Sequence, residues 1–268
     1  MEIEPVALGD LVALRRAKVD ELRVRAFSWG HEKAIASTRA FRLREGHAET
    51  GYALASETAL LEFAVSPAWR TRANEALAAA VMTLGLGEIL VRTDDGLACE
   101  AALGLASRER WDARPAGPIY ALETGVLSRP SRPAQAEVRA VGAGEATAAT
   151  AILEQDSSIE PELRTSEGVA LAAREERLWG LTRGGSLVGV AIAVPLATHR
   201  YTAIRPAVLP AHRRAGLATY LVGEVSQALL LANRRLIAEA DVLDRGPRRI
   251  AEHLGLTLAA HRLRLRHL

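Results

Sequence analysis

The spacing of apolar residues predicts short strands and helices, most clearly in the second half of the chain. Between residues 217 and 232 apolar side chains recur every four positions, as on the buried face of an amphipathic helix. Two apolar runs rich in β-forming residues flank Gly184-Gly185, a dipeptide typical of a two-residue hairpin turn. The elements predicted for this half are strands Val138–Val141, Arg177–Arg183, Leu187–Pro195, Tyr201–Leu209, Leu236–Asp241 and Ala259–Leu268, helices Gly144–Leu153, Leu217–Ala232 and Pro247–Leu254, and a helix through Val169–Ala173.

The first half shows the same mixture of element types. Its predicted strands are Ser37–Arg44, Glu49–Ala55 and Ala59–Val65, and a helix is predicted from Asn74 to Leu84. Strands and helices mixed in this way predict an α+β fold, α/β-like in its alternation, in each half of the chain.

Three pairs of similar segments indicate that the two halves are copies of one unit. The pairs keep their order, and their separation drifts by a few residues, as loop insertions would cause. They are Ile3–Asp10 with Val138–Glu145, Val65–Arg70 with Val208–Arg213, and Leu103–Leu105 with Leu254–Leu256. Between the copies, residues 127–136 are rich in Pro, Ser and Arg and predict an exposed linker. We therefore predict two domains, 1–131 and 132–268.

Composition excludes several classes of protein. Of the 268 residues, 49% are hydrophobic and 25% charged, with a net charge of +2, which is not the composition of a disordered chain. Cys99 is the only cysteine, which excludes a disulfide framework or a multi-cysteine zinc site and fits a reducing cytoplasm. The first residues do not resemble a secretory signal, and the apolar runs are shorter than the ~20 residues that cross a bilayer. These features predict a soluble cytoplasmic protein without a membrane partner.

The distribution of charge and histidine argues against two further kinds of site. The 34 basic and 32 acidic residues are interspersed, so nucleic acid is not a favoured partner. Alternating arginines in the last predicted strand still leave an RNA-binding module as an alternative. The seven histidines do not have the spacing of metal ligands, and we predict no metal site.

The most informative segment is the turn that follows the predicted strand Tyr201–Leu209. It reads Arg213-Arg214-Ala215-Gly216-Leu217-Ala218, with two arginines before a glycine at the start of a helix. The first N–H groups of a helix have no intrahelical acceptor, and the helix dipole places partial positive charge there. Because Gly216 has no Cβ, a phosphate can approach the backbone while the arginines pair with its oxygens. An ordinary strand-to-helix turn with solvated arginines is the alternative.

This turn resembles the [Gln/Arg]-x-x-Gly-x-[Gly/Ala] signature of the GNAT N-acetyltransferase superfamily, in which Val208-x-Pro210 before the turn is also common. The resemblance extends over residues 138–268 and implies a mixed, splayed sheet flanked by helices, with acetyl-CoA as co-substrate. Its pyrophosphate would lie on the turn and its pantetheine arm beside the end of the strand. Asp244–Arg248 resembles a segment that some members place near this arm. The implied binding residues are Val208, Leu209, Arg213, Arg214, Ala215, Gly216, Leu217 and Ala218.

The first half resembles a degenerate copy of the same domain. Its turn has Ala73 at the glycine position and Glu75 at the position of Ala218. A Cβ would crowd the pyrophosphate, and a carboxylate in the first helical turn would repel it. We expect residues 1–130 to bind CoA weakly or not at all, so that the chain resembles tandem GNAT proteins with one working and one structural half.

The sequence identifies no catalytic residue. In many family members a carboxylate on the strand before the turn is the general base, but this strand has none and carries Arg205, while Glu62 lies on the corresponding strand of the first half. The tyrosine that often serves as general acid is replaced by Ala251. Other groups that could replace the base or the acid are Glu239, Asp241, Asp156, Glu160, Tyr201 and Tyr220.

Beside the RNA-binding module, two functions of different classes remain as hypotheses for a protein with this turn. The first is an acetyl-CoA-dependent N-acetyltransferase that acts on a small-molecule amine, with the co-substrate bound by the C-terminal domain. The second is a non-catalytic acyl-CoA-binding or scaffold protein of the same fold, which the missing base and acid favour. The acceptor, the acyl group and the oligomeric state stay open, a homo-oligomer included.

Overall fold

A computed structural model of the protein describes residues 1–22, 29–122, 126–196 and 201–268. The strands are β1 (Glu2–Val6), β2 (Arg39–Glu45), β3 (Ala48–Ala55), β4 (Ala59–Val65), β5 (Glu88–Arg92), β6 (Trp111–Leu122), β7 (Ala136–Ala140), β8 (Leu178–Arg183), β9 (Ser186–Pro195), β10 (Tyr201–Val208), β11 (Arg235–Glu239) and β12 (Thr257–His267). The helices are α1 (Val12–Glu21), α2 (Trp29–Ala36), α3 (Ala73–Leu84), α4 (Gly96–Arg108), α5 (Ala146–Leu153), α6 (Ser166–Arg174), α7 (Leu217–Leu231) and α8 (Arg245–His253). Mixed sheets flanked by helices confirm the predicted fold class.

The chain divides into two compact units that are not continuous in sequence. Unit 1 comprises Met1–Ile119, Glu239–Asp244 and Leu258–Leu268, and unit 2 comprises Tyr120–Ala238 and Arg245–Thr257. Two segments of the predicted second domain thus lie in unit 1. The predicted domain boundary between residues 131 and 132 stays a prediction.

Unit 1 has a mixed sheet with α3 and α4 packed against it. The strand order is β1-β2-β3-β4-β5-β12, and residues 111–119 of β6 lie on the other side of β12. β4 and β5 are parallel, whereas β1-β2, β2-β3, β3-β4 and β5-β12 are antiparallel. α3 is rich in alanine and presents small and aliphatic side chains at helical spacing to the sheet. Its buried residues are Ala73, Ala76, Leu77, Ala80 and Val81.

Unit 2 has a mixed sheet in the order β7-β8-β9-β10-β11, in which β10 and β11 are parallel. The predicted hairpin between β8 and β9 is confirmed: Gly184 and Gly185 both have positive φ, +57° and +83°, and Arg183 pairs with Ser186 across the two-residue turn. α7 packs one face against this sheet through residues three and four apart, namely Leu217, Tyr220, Leu221 and Val225. Among the described residues, no helix has the length and apolar character that crossing a bilayer requires.

The last strand belongs to a different unit from the one that the sequence predicted. Residues 258–268 lie in unit 1, where β12 pairs antiparallel with β5 and Leu265 is fully buried in the core. Alternation of leucine and arginine along this segment defines the two faces of a strand, but it does not identify the neighbouring strand.

The stretch predicted as an exposed linker is exposed at six of its ten residues, and the others contact the rest of unit 2. Leu127 is 5% exposed, and the Ser128 N–H donates to the Leu254 carbonyl at 3.0 Å. Pro130 lies so close to α7 that a Cβ on Gly223 would come within 2.7 Å of its ring. The composition predicted the absence of helix and strand here, but it carried no information about packing.

Two of the three repeat anchors occupy equivalent elements, and the third does not. The first anchor is a strand followed by a 3-10 turn in both halves, and the second is the end of a strand followed by a 3-10 turn. In the third, Gly104 lies inside α4, whereas Gly255, with φ of +84°, follows the end of α8. The repeat is therefore present at its first two anchors.

Candidate functional site

The turn between β10 and α7 has an unusual backbone conformation. β10 ends at Val208, and one 3-10 turn covers Pro210–His212 before α7 begins at Leu217. Between the two, Arg214 and Gly216 adopt left-handed angles, with φ of +65° and +72°. These angles redirect the chain from the strand into the helix and turn its N–H groups outward.

The N–H groups of this turn are available to a ligand. The first hydrogen bond into the helix runs from the Tyr220 N–H to the Gly216 carbonyl, at 3.0 Å. Within the described part of the chain, the N–H groups of residues 214–219 donate to no protein acceptor. Successive free N–H groups at a helix start, together with the helix dipole, form an anion-binding concavity. The arrangement therefore fits the pyrophosphate of CoA.

Gly216 has two consequences for this site. At φ of +72° a residue with a side chain would be strained by about 1–2 kcal/mol. A Cβ at this position would meet no protein atom within 4 Å. The glycine is thus favoured by the backbone angle, and the space above the N–H groups is open.

The two arginines of the turn have different partners. Arg213 donates from Nε to the Val208 carbonyl at 2.9 Å, and its Nη2 lies 3.4 Å from Asp156 Oδ2. Its guanidinium therefore ties the turn to the end of β10 and to the loop after α5. Arg214 is exposed and has no hydrogen-bond or ionic partner among the described residues, so it is available to an anion.

A cleft of about 260 Å³ lies between this turn and the start of α8. Of the predicted binding residues, Leu209 and Ala215 are not among those that line it. Arg249 lines the cleft from α8 and was missed, although it directly follows the predicted Asp244–Arg248 segment. It has no partner in the described ranges, whereas the neighbouring Arg248 pairs with Glu252 at 2.9 Å. The cleft is lined by Val208, His212, Arg213, Arg214, Gly216, Leu217, Ala218, Thr219, Gly246, Arg249 and Ile250.

The edge of β10 is open where it leads into the turn. Its ladder with β11 covers residues 201–203 and then ends, while its ladder with β9 continues to Val208. The Leu209 N–H donates to the Val188 carbonyl at 2.9 Å, so odd-numbered residues face β9 and even-numbered ones face the gap. Pro206, which has no N–H, occupies a gap-facing position, and Val208 presents its N–H there. This separation is the splay that the resemblance implied.

The corresponding turn of unit 1 lacks these features. Its 3-10 turn, Pro67–Arg72, runs directly into α3, and Ala73 has φ of −58° with its N–H bonded to the Arg70 carbonyl. Arg72 donates to Glu75 at 2.9 Å, and its guanidinium lies 4.2 Å from the centre of the Trp69 ring. A donor is therefore used internally and a carboxylate occupies the helix start, which agrees with the predicted degeneracy of this turn.

The carboxylates that could serve as general base all have hydrogen-bond or ionic partners within the protein. Asp156 binds Arg213 and Ser158, and Glu160 accepts from Arg205 Nε at 3.0 Å. In unit 1, Glu239 lies 3.5 Å from Arg262, and Asp241 accepts the Leu243 N–H at 2.9 Å. None of these contacts identifies a general base.

Glu62 is the central acceptor of a buried cluster in unit 1. It is 5% exposed and accepts from Arg15 Nη2 at 2.7 Å, His31 Nε2 at 2.9 Å and the Tyr52 hydroxyl at 3.2 Å. Burial raises the pKa of this carboxyl, but the hydrogen bonds from His31 and Arg15 outweigh burial and hold the pKa below its usual value. Burial also raises the pKa of Tyr52, which stays a donor. The cluster satisfies Glu62 internally.

The two tyrosines that could serve as general acid are buried. Tyr201 is fully buried, and Tyr220 is 6% exposed on the packed face of α7, where burial raises the pKa of its hydroxyl. Ala251 is 2% exposed in the core between α7 and α8. These positions are occupied by packing side chains.

The alternating arginines of β12 are paired within unit 1. Arg264 and Arg266 lie 2.9 Å and 3.1 Å from the oxygens of Glu88, and Arg262 lies near Glu239. Paired arginines do not present the free positive stripe that an RNA-binding module requires.

Comparison with known proteins agrees with this geometry. Residues 147–255 match the Acetyltransferase (GNAT) family, so the second half of the chain carries a GNAT domain and the resemblance predicted from the turn is confirmed. Members of this family use acetyl-CoA as co-substrate. A comparison with curated protein sequences gives no match.

Solved structures extend the fold over the whole chain. An acetyltransferase of the GNAT family from Colwellia psychrerythraea is 13% identical, with 100% of both chains covered and a TM-score of 0.84. A tandem GNAT protein from the clavulanic acid biosynthesis pathway is 15% identical over 98% of this chain and 97% of that one, with a TM-score of 0.63. A GCN5-related N-acetyltransferase from Sphaerobacter thermophilus is 16% identical over 98% and 94%, with a TM-score of 0.66. At these identities the likeness shows the fold alone.

Proposed function

We propose that the protein is an acetyl-CoA-dependent N-acetyltransferase that acts on a small-molecule amine, and that unit 2 binds the co-substrate. The single observation that carries this proposal is the set of free N–H groups at residues 214–219, next to the unpaired Arg214 and Arg249. A diphosphate there meets helix-start donors and two cations at once.

The open edge of β10 supports the position of the thioester. An extended pantetheine arm that starts at the turn runs back along this edge. There it can bond to the gap-facing backbone groups of β10, which lack a partner strand because the ladder to β11 has ended. The Val208 N–H faces the same gap and can donate to the carbonyl oxygen as negative charge develops on it. The edge thereby orients the acyl group.

The chemistry is a single exchange of bonds at the acetyl carbonyl carbon. The amine nitrogen forms a bond to this carbon, the carbon–sulfur bond breaks, and the proton that the nitrogen loses ends on the departing thiolate, directly or through water, to give the free thiol. An alkyl amine of pKa ~10.4 costs about 4–5 kcal/mol to deprotonate at pH 7, whereas a thiol of pKa ~8.5 leaves readily. Catalysis here depends on positioning and on the backbone donor.

A non-catalytic acyl-CoA-binding protein is the second candidate. It is favoured by the internal partners of Asp156 and Glu160 and by Ala251 in the core. Both candidates bind acetyl-CoA, so the two are separated by calorimetric titration followed by a thiol-release assay with a panel of amines. Binding with thiol release supports the transferase, binding without it supports the second candidate, and no binding refutes both.

A further inference from the structure

An ion pair lies on the face of β10 opposite α7. Ile204 and Val208 pack toward α7, so strand alternation places Arg205 on the other face, where α5 also packs. Glu160, from the loop after α5, binds Arg205 there, and the two side chains are 19% and 23% exposed. The pair is partly shielded from water and remains reachable.

This ion pair uses one side of the guanidinium. Both oxygens of Glu160 accept from Arg205 Nε, at 3.0 Å and 3.2 Å. Within the described ranges, Nη1 and Nη2 of Arg205 donate to no acceptor. Neither atom is among the buried atoms that lack a partner, so both remain accessible. The guanidinium is therefore fixed through Nε while its terminal donors remain available. Such a planar pair of donors matches a carboxylate or a phosphate.

Arg205 lies on the same strand as Val208, whose N–H would contact the thioester carbonyl. It precedes Val208 by three residues, about 10 Å along the strand. This is the part of β10 that has separated from β11, along which the pantetheine arm would extend. An acceptor that reaches the thioester from the α5 face meets Arg205.

The equivalent position in unit 1 has the opposite charge and no spare donors. Aligning Val65 with Val208 places Glu62 at the position of Arg205. Glu62 is saturated by Arg15, His31 and Tyr52 in the interior. The pair in unit 2 is thus not a copy of a buried structural cluster, because its cation is left partly unsatisfied.

We propose that Arg205 binds an anionic group, a carboxylate or a phosphate, on the acceptor amine, and that Glu160 positions the guanidinium through Nε. The inference rests on the proposed transferase function of unit 2. The terminal donors of Arg205 can bind an anion that lies next to the acceptor amine, whereas an acceptor that carries only positive charge offers them no acceptor atom. The acceptor class is therefore an amino acid or an amino phosphate.

The test compares matched acceptors by thiol release from acetyl-CoA. Glycine, leucine and phenylalanine are each compared with their carboxamides, and phosphoethanolamine with ethanolamine. Removing the carboxylate lowers the pKa of the amine, so chemistry alone favours the carboxamides. We expect kcat/KM to be about tenfold higher, or more, for the member of each pair that carries the carboxylate or phosphate. The pairs that show this preference identify the anion as carboxylate or phosphate, and the absence of preference in every pair overturns the proposal.

Variants separate recognition from a merely structural ion pair. Arg205→Gln is expected to reduce the preference about tenfold through KM, and Arg205→Lys to retain part of it. Glu160→Gln is expected to raise KM for the charged acceptor while kcat is kept. Arg139→Gln, which breaks an exposed pair with Glu145 in the same unit, is the matched control and should change nothing.

Binding of acetyl-CoA is measured by calorimetry for every variant, and unchanged affinity shows that unit 2 is folded. A preference unchanged in Arg205→Gln overturns this inference alone. If no acceptor gives thiol release in protein that binds acetyl-CoA, the transferase function is overturned as well. The failure of the inference and the failure of the proposed function therefore give different results.

Discussion

A carboxylate placed at Gly216 should abolish co-substrate binding. The variant Gly216→Glu adds a side chain at φ of +72°, which costs about 1–2 kcal/mol of folding free energy. This strain is present in the free and the bound protein, so it cancels in the affinity. The change in Kd therefore measures only what the new side chain does to the ligand.

The expected loss of affinity follows from charge. The new carboxylate would extend into the open space above the N–H groups, because no protein atom lies within 4 Å of a Cβ there. A unit charge about 4 Å from one phosphate charge costs ~4 kcal/mol at an effective dielectric constant of 20. Since 1.4 kcal/mol is a factor of ten, Kd for acetyl-CoA should rise about a thousandfold. Gly216→Ala adds the strain and the Cβ without the charge, so it measures the steric part of the effect and should raise Kd less than Gly216→Glu does.

Isothermal titration with acetyl-CoA measures this change, and thermal melting shows that the variants are folded. The matched control is Thr71→Glu, which adds the same charge at an exposed position of the unit 1 turn and should leave Kd unchanged. Ala73 is unsuitable for this purpose, because it is 3% exposed in the core and a glutamate there would disturb folding. Unchanged affinity in Gly216→Glu, or an equal loss in Thr71→Glu, would refute the assignment of the turn.

Three further predictions concern other parts of the molecule. Arg249→Ala should weaken acetyl-CoA binding about tenfold or more through the loss of a charged hydrogen bond, while Arg248→Ala, already paired with Glu252, should not; titration of both decides this. Leu265→Ala should lower the free energy of unfolding by about 2–5 kcal/mol and speed amide exchange in β5 without changing the affinity for acetyl-CoA; unchanged exchange in β5 would contradict the place of β12. Glu62→Gln should destabilise unit 1 by about 3 kcal/mol near neutral pH. Because the pKa of Glu62 is lowered in the folded state, its contribution to the free energy of unfolding is complete above the usual glutamate pKa of about 4.3 and is lost as pH falls below that value. Urea titrations of this variant and the wild type should therefore give converging free energies in acid. A difference that persists at low pH would be evidence against this role of Glu62.

The parts that sequence predicted are those that local chemistry determines. Gly184-Gly185 specifies a hairpin because both residues need positive φ, and the structure has that turn. The turn around Gly216 was likewise predictable from local sequence. A glycine at a helix start permits a left-handed backbone angle, and the first N–H groups of a helix have no intrahelical acceptor. The helical spacing of α7 predicted the face that packs on the sheet.

The parts that sequence did not predict depend on contacts between distant segments. β12 has the pattern of a strand, but its place between β5 and β6 depends on pairing with segments far away in the sequence. Arg249 enters the cleft because α8 packs beside the turn, and no spacing between it and Gly216 indicates this. The pairing of Arg205 with Glu160 joins a strand to a loop that has no regular pattern.

The position of β12 also makes unit 1 discontinuous along the polypeptide. Residues of unit 2 are interposed between residues 1–119 of unit 1 and the segment 258–268 that supplies most of β12. A variant that lacks residues 258–268 would therefore keep the turn around Gly216, but it would expose the edge of β5 to other chains and favour aggregation.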